Sequence, residues 1–273
     1  MGILKRIINF YIHSSIHVAL AVYALVRLTE YMFALEYDKP MSYFAFFGTI
    51  VGYNFVKYDA LARTGKKSVG NEIKTIAVLS FCSIVICGWF FLQLQLVTQI
   101  ASMIFLGLTS LYTLPFFPNR RNARNWAGVK IYIVALCWVG VTVILPLLNA
   151  GVELSADFYL KCIQRFILVF VLILIFEIID LAKDDPHLKT VPQEIGVKRT
   201  KILGLVLLLI FYCLEFLRSS YELTQLAVNF ILVAVTAAFL ISANEKRSIY
   251  YTSFWVESIP VLWWLMLVAG ERI

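Results

Sequence analysis

Between Ile163 and Ile179 the chain reads Ile163-Gln164-Arg165-Phe166-Ile167-Leu168-Val169-Phe170-Val171-Leu172-Ile173-Leu174-Ile175-Phe176-Glu177-Ile178-Ile179. This run is too long for an ordinary strand and lacks the apolar–polar alternation of a membrane barrel. In hydrocarbon, only a helix or a closed barrel satisfies every backbone group, so the run predicts a membrane-spanning helix. Val228–Ile241 repeats the pattern. The composition generalises it: 61% of the 273 residues are apolar and only 15% are charged. A single soluble core cannot hide that much apolar surface. Soluble enzymes, secreted disulfide scaffolds and disordered regulators are therefore excluded. The chain is expected to be an all-α integral membrane bundle forming one transmembrane domain over residues 1–273. Cys82, Cys87, Cys137, Cys162 and Cys213 lie inside or beside apolar runs with no C-x-x-C pair, and read as small buried hydrophobes.

Apolar runs and their breaks predict about nine spans: 11–34, 42–62, 75–95, 99–117, 129–148, 160–181, 202–217, 225–243 and 250–269. With a cytoplasmic N-terminus, 17 of the 24 Lys and Arg residues fall in inner segments and three in outer ones. That bias is the positive-inside pattern, and it predicts an outer C-terminus. The net charge of +7 is then a consequence of topology and calls for no nucleic-acid partner. The run after Lys5 and Arg6 reads as a retained first helix, not a removed signal. Outer connections are short, whereas the inner loops 63–74 and 182–201 are longer and concentrate polar residues.

Ionisable groups inside spans are costly and mark functional sites by default. Glu177, Asp180 and Asp184 follow the long apolar run at spacings of three and four, which places them on one helical face, and Pro186 predicts the helix end. Three like charges on one face repel unless a cation compensates them. Hard carboxylate oxygens sharing the ion with waters and phosphate suit Mg²⁺. The bland alternative is a solvated helix end paired to Lys183 or Lys189, and this is the reading for Asp185. A second group is Asn54, Lys57 and Tyr58, which share a face, while Asp59 points away. Gly48 and Gly52 beside them form a small-xxx-small pattern that allows close helix approach. Lys57 facing the carboxylate helix would complete a mixed metal and anion site; otherwise it snorkels to the inner headgroups. A third group is Leu111-Tyr112-Thr113-Leu114-Pro115, followed by Arg120, Arg121, Arg124 and Lys130, a helix end beside a basic cluster suited to phosphate or to anionic lipid. His13 and His17 are expected to make interhelical hydrogen bonds in preference to binding metal, and Arg27 to pair with Glu30.

Taken together, these residues resemble the UbiA superfamily of membrane prenyltransferases. The Asp180-x-x-x-Asp184 spacing, followed by Thr190-Val191-Pro192 and Gly196, is similar to that family's second aspartate-rich motif, and Leu111-Tyr112-Thr113 to its L-Y-S/T segment. The family's first motif, N-D-x-x-D-x-x-x-D, lines up with Asn54 to Ala62, where only the Asn is kept; Phe55, Tyr58 and Ala62 stand in the aspartate positions. The family's Gly between the second motif and its Thr is also missing.

The resemblance implies Mg²⁺-dependent transfer of a prenyl group from a polyprenyl diphosphate to an acceptor, often aromatic, at a cytoplasm-facing intramembrane site. Asp180, Asp184 and Glu177 are the expected metal ligands. Asp180, Asp184 and Lys57 are the expected catalytic groups, with Lys57 replacing the charge of a second Mg²⁺. Asn54, Tyr58, Tyr112, Arg120, Lys130 and Lys189 are the expected substrate contacts. The chemistry requires neutralisation of the leaving diphosphate and aromatic faces for an allylic cation. The lipid bilayer is the expected environment, with the bacterial inner (plasma) membrane as the location. Two other readings are a relative that binds an isoprenoid lipid without catalysis, and a small transporter using the acidic face as a cation path.

Overall fold

In the computed structural model, residues 2–63, 70–114, 128–219 and 222–270 are described, with side chains omitted for 59–63. The described residues form helices and no strands. The helices are α1 (Ile3–His13), α2 (Ile16–Met32), α3 (Lys39–Arg63), α4 (Asn71–Phe91), α5 (Leu96–Thr113), α6 (Lys130–Asn149), α7 (Ala156–Asp180), α8 (Val191–Ile195), α9 (Val197–Leu217), α10 (Leu223–Ser242) and α11 (Tyr251–Gly270). Seven of them, α4 to α7 and α9 to α11, are long and apolar enough to cross a bilayer, and the bent α1–α2 pair passes as an eighth. The chain is an integral membrane protein. Eight of the expected spans each overlap one of these elements, and 11–34 overlaps two, α1 and α2. The ninth rests on α3, whose 25 residues include Asn54, Lys57 and several tyrosines that dilute its apolar character.

The long apolar run is the centre of the molecule. Ser155 caps α7 by accepting the Phe158 N–H at 3.3 Å, and Leu168, Val171, Ile175 and Ile178 are completely buried. They pack with Leu25 and Leu28 of α2, Phe211 of α9, Leu232 of α10 and Trp263 of α11. Helix α4, by contrast, turns Phe81 and Trp89 outward, as a lipid-facing helix must.

The span expected over 11–34 is broken. Ser15 sits in the left-handed region with φ of 63°, so α1 and α2 meet at 57°. Adjacent Ser14 and Ser15 carry hydroxyls that compete for backbone partners, which weakens a continuous helix there. Two spans also contain π turns, Gly140–Ile144 in α6 and Tyr251–Val256 in α11. At Gly140 a Cβ would run into the Phe105 ring, so glycine is what lets α5 lie against the turn.

Polar side chains fasten the end of the bundle remote from the acidic motif. Lys161, Gln164 and Arg218 all donate to the Glu215 carboxylate, at 2.9, 2.9 and 3.0 Å. Arg27 pairs with Glu30 as expected, and Asn149 links Asp38 at 2.5 Å to the Gln95 N–H at 2.8 Å. Arg165 donates to the Leu25 carbonyl and to Thr29 Oγ1, and its guanidinium lies 5.5 Å from the Trp263 ring centre.

Candidate functional site

A cavity of about 650 Å³ opens among α3, α4, α5, α6, α7 and α11. Most of its wall is apolar, including the aromatic faces of Phe44, Phe91, Phe105, Trp138 and Phe176. Polar groups from the C-terminal ends of α5 and α7 and the N-terminal end of α6 meet at one end: Tyr112, Lys130, Glu177, Asp180 and Asp184 all line it. Gly48 and Gly52 also line it. A Cβ at Gly52 would meet nothing within 4 Å, so the missing side chain adds directly to the open space.

Helix α7 ends at Asp180, six residues before the expected stop at Pro186. The Asp184 N–H still bonds the Asp180 carbonyl at 2.9 Å, so a last turn of helical spacing carries Asp184 to the same cavity. The segment beyond is held by local bonds. Asp185 is exposed, as expected, but accepts the His187 N–H at 2.9 Å in place of the expected lysine, and Gln193 accepts the Thr190 N–H at 2.9 Å, which starts α8. The Leu188 carbonyl accepts the Gly128 N–H at 3.1 Å, tying this segment to the approach of α6 and hence to Lys130.

The carboxylates are not equivalent. Glu177 is buried and accepts the Val191 N–H at 3.1 Å, with Lys130 within coulombic range. That bond anchors one of its two carboxylate oxygens to the backbone beyond α7. Among the described residues, no three Asp, Glu, His or Cys side chains converge closely enough to enclose an ion. Asp180 holds only a partly exposed contact to Lys183 at 3.4 Å. Asp184 keeps a buried Oδ2 with no hydrogen-bond partner among the described residues. Two hard carboxylates, one with an orphaned buried oxygen, fit a Mg²⁺ that retains waters and takes phosphate oxygens from a substrate.

The second expected group does not face these carboxylates. Lys57 is absent from the cavity wall. Its ammonium donates to Ser15 Oγ at 3.0 Å and to the Ile12 carbonyl at 3.4 Å, groups exposed by the α1–α2 break that hydropathy did not indicate. Tyr58 donates to the His13 carbonyl at 3.0 Å, and Asn54 is buried against Ser80 at 2.9 Å, so neither reaches the cavity. Lys189 is exposed, with φ of 46°, and is likewise off the wall. Arg120, Arg121, Arg124 and Pro115 lie outside the described residues. The two histidines make interhelical hydrogen bonds: His13 to Glu72 at 2.8 Å, and His17 to Tyr11 and to the Phe254 carbonyl, each at 2.9 Å.

Sequence reading overlooked Glu257 of α11, whose side chain lines the cavity. An acidic residue inside the expected span 250–269 was the available signal. It also overlooked Tyr53, one position before Asn54, which lines the cavity and accepts a 2.8 Å hydrogen bond from Trp138 Nε1.

No protein-family model and no curated protein matches the chain. Its structure is similar to a solved structure described as digeranylgeranylglyceryl phosphate synthase in membranes, with a TM-score of 0.58 and 10% sequence identity. The match covers 98% of this chain and 100% of the other. At that identity the likeness concerns the fold. The all-helical bundle assembled here around an acidic cavity shares that protein's fold and is consistent with the UbiA-like architecture expected from the motifs.

Proposed function

We propose that the protein transfers a prenyl group from a prenyl diphosphate to an acceptor inside this cavity. The observation that carries the reading is the cavity's division: a mostly apolar, aromatic chamber whose wall also includes Asp180, Asp184 and Lys130. An isoprenoid diphosphate has the same division, an apolar tail and an anionic head. The match over 98% of the chain to a prenyl-transferring fold supports the same reading.

A Mg²⁺ held by Asp180 and Asp184 would neutralise the diphosphate and ease its departure. Lys130 supplies a fixed positive charge at the same end. Glu177, anchored to the Val191 N–H, holds the loop beyond α7 against the cavity mouth and positions Asp184. The aromatic walls offer their ring faces to a developing allylic cation, and the apolar surroundings keep water from capturing it. The Mg²⁺ requirement and acceptor class belong to this proposal, as does the placement of the acidic end on the cytoplasmic side of a bacterial inner membrane. Lys57 is assigned no part in diphosphate neutralisation. The test is binding of geranylgeranyl diphosphate to the full chain in nanodiscs with and without Mg²⁺. Mg²⁺-dependent binding that Asp180→Asn weakens at least tenfold supports the reading; equal binding by both proteins would overturn it.

A further inference from the structure

No residue of α1 lines the cavity, yet the surface of this helix is sharply divided. Ile3, Leu4, Ile7 and Ile8 share one side at spacings of three and four. All four are exposed, the first three by 78%, 71% and 59%. Lys5, Arg6 and Asn9 fall on the opposite side, and both cations are exposed. No acidic residue precedes Glu30 in the chain, so the helix presents positive charge alone.

The polar side and the C-terminal end of α1 are fastened to the bundle, while its apolar side stays open. Asn9 Oδ1 accepts from the hydroxyl of Tyr250, just before α11, in a connection that also carries exposed Glu245, Lys246 and Arg247. Lys57 and Tyr58 of α3 donate to the Ile12 and His13 carbonyls at 3.4 and 3.0 Å. His13 bonds Glu72, at the start of α4, at 2.8 Å, and both side chains are half exposed.

Lengths set the level of α1 in the membrane. Helix α2 has 17 residues and is about 25 Å long, close to the roughly 30 Å of hydrocarbon in a bilayer. The break at Ser15 therefore falls near one boundary of the hydrocarbon. At the other end of α2, the Met32 carbonyl accepts from Arg218 in the polar cluster remote from the acidic motif, so the break lies on the membrane face where α7 ends at Asp180. Helix α1 departs at 57°, and its 11 residues, about 16 Å long, advance only about 9 Å further along the α2 direction. That places it in the headgroup layer. A helix there with one apolar and one cationic side has the two surfaces of an interfacial anchor.

We propose that α1 is an in-plane membrane anchor. It seats Ile3, Leu4, Ile7 and Ile8 beneath the phosphates of the leaflet on the Asp180 side, and it binds anionic phospholipid headgroups through Lys5 and Arg6. A lipid surface offers an apolar layer and fixed negative charge together, which match both sides of the helix; free phosphate matches only the cations.

Two measurements on the full chain test this, both in nanodiscs of equimolar phosphatidylglycerol and phosphatidylcholine. In the first, a nitroxide is attached in turn at Leu4→Cys, Lys5→Cys, Arg6→Cys, Ile7→Cys and Ile8→Cys, with the native cysteines replaced by serine. Collisions with oxygen and with a water-soluble nickel chelate report depth. The labels at 4, 7 and 8 should lie about 5–10 Å below the phosphates, and those at 5 and 6 in water. A depth that changes steadily from position 4 to 8 would make α1 part of the span, and equal access of the chelate to all five would lift it off the membrane; either overturns the inference. The second keeps the native cysteines and weighs the lipids retained by the protein in native mass spectrometry. Lys5→Gln combined with Arg6→Gln should lower the ratio of phosphatidylglycerol to phosphatidylcholine at least threefold, within the roughly thirtyfold that two basic residues at an anionic surface can supply. Excess inorganic phosphate should leave the wild-type ratio unchanged. Equal ratios in the two proteins, or loss of the preference in inorganic phosphate, would overturn the assignment of anionic lipid.

Discussion

Glu215→Gln tests the fold at its most demanding point. Glu215 is completely buried and is the shared acceptor for Lys161, Gln164 and Arg218. The Lys161 and Arg218 side chains are only 5% and 8% exposed. Removing the carboxylate charge leaves two cations in a low-dielectric interior, and breaking a buried pair in this way costs about 3–5 kcal/mol. That corresponds to roughly a hundredfold to a few thousandfold in the folding equilibrium. Arg218 keeps the Gln225 and Met32 acceptors at 2.8 and 3.3 Å, so most of the loss should belong to Lys161. The double variant Lys161→Met with Glu215→Gln should therefore recover more than half of it. Unfolding in mixed micelles, followed by tryptophan fluorescence, reads both variants. A loss below about 1 kcal/mol for the single variant, or additive losses in the double, would refute the assignment of Glu215 as the compensating charge.

Gly52→Leu places a side chain in open cavity and gains helix propensity of about 1 kcal/mol. Stability should hold or rise while turnover of long-chain diphosphates falls at least tenfold, measured by product formation across chain lengths. Lys57→Ala should leave diphosphate affinity within about twofold, because Lys57 lies off the cavity wall and bonds Ser15 and the Ile12 carbonyl instead; equilibrium binding of the diphosphate in nanodiscs checks it. Gln193→Leu removes the bond that starts α8 at Thr190 and should cost about 1 kcal/mol, with a several-fold loss of diphosphate affinity as the loop carrying Asp184 loosens.

The sequence made the bundle legible because unbroken apolar runs such as Phe166–Phe176 admit only helices in hydrocarbon. It made the acidic end of the cavity legible too, since Glu177, Asp180 and Asp184 share a helical spacing that survives even though α7 stops at Asp180. Lys57 was misplaced for a different reason. Its direction depends on Ser15 adopting φ of 63° and turning α1 across the end of α3, a backbone choice that periodicity does not encode. Tyr53 and Asn54 show the same limit at closer range: adjacent residues on α3 part company, one to the cavity and one to Ser80. The aim of Glu257 depends on a π turn, which shifts every following residue by about 100° from the regular helical pattern.

The most direct measurement is pyrophosphate release from geranylgeranyl diphosphate by the full chain in nanodiscs, with Mg²⁺ and a prenyl acceptor, beside Asp180→Ala and an EDTA-treated sample. The account predicts release by the wild type that falls at least 100-fold in the variant and after metal removal. Release that persists without Asp180 and without Mg²⁺, or a wild type that releases none, would contradict it.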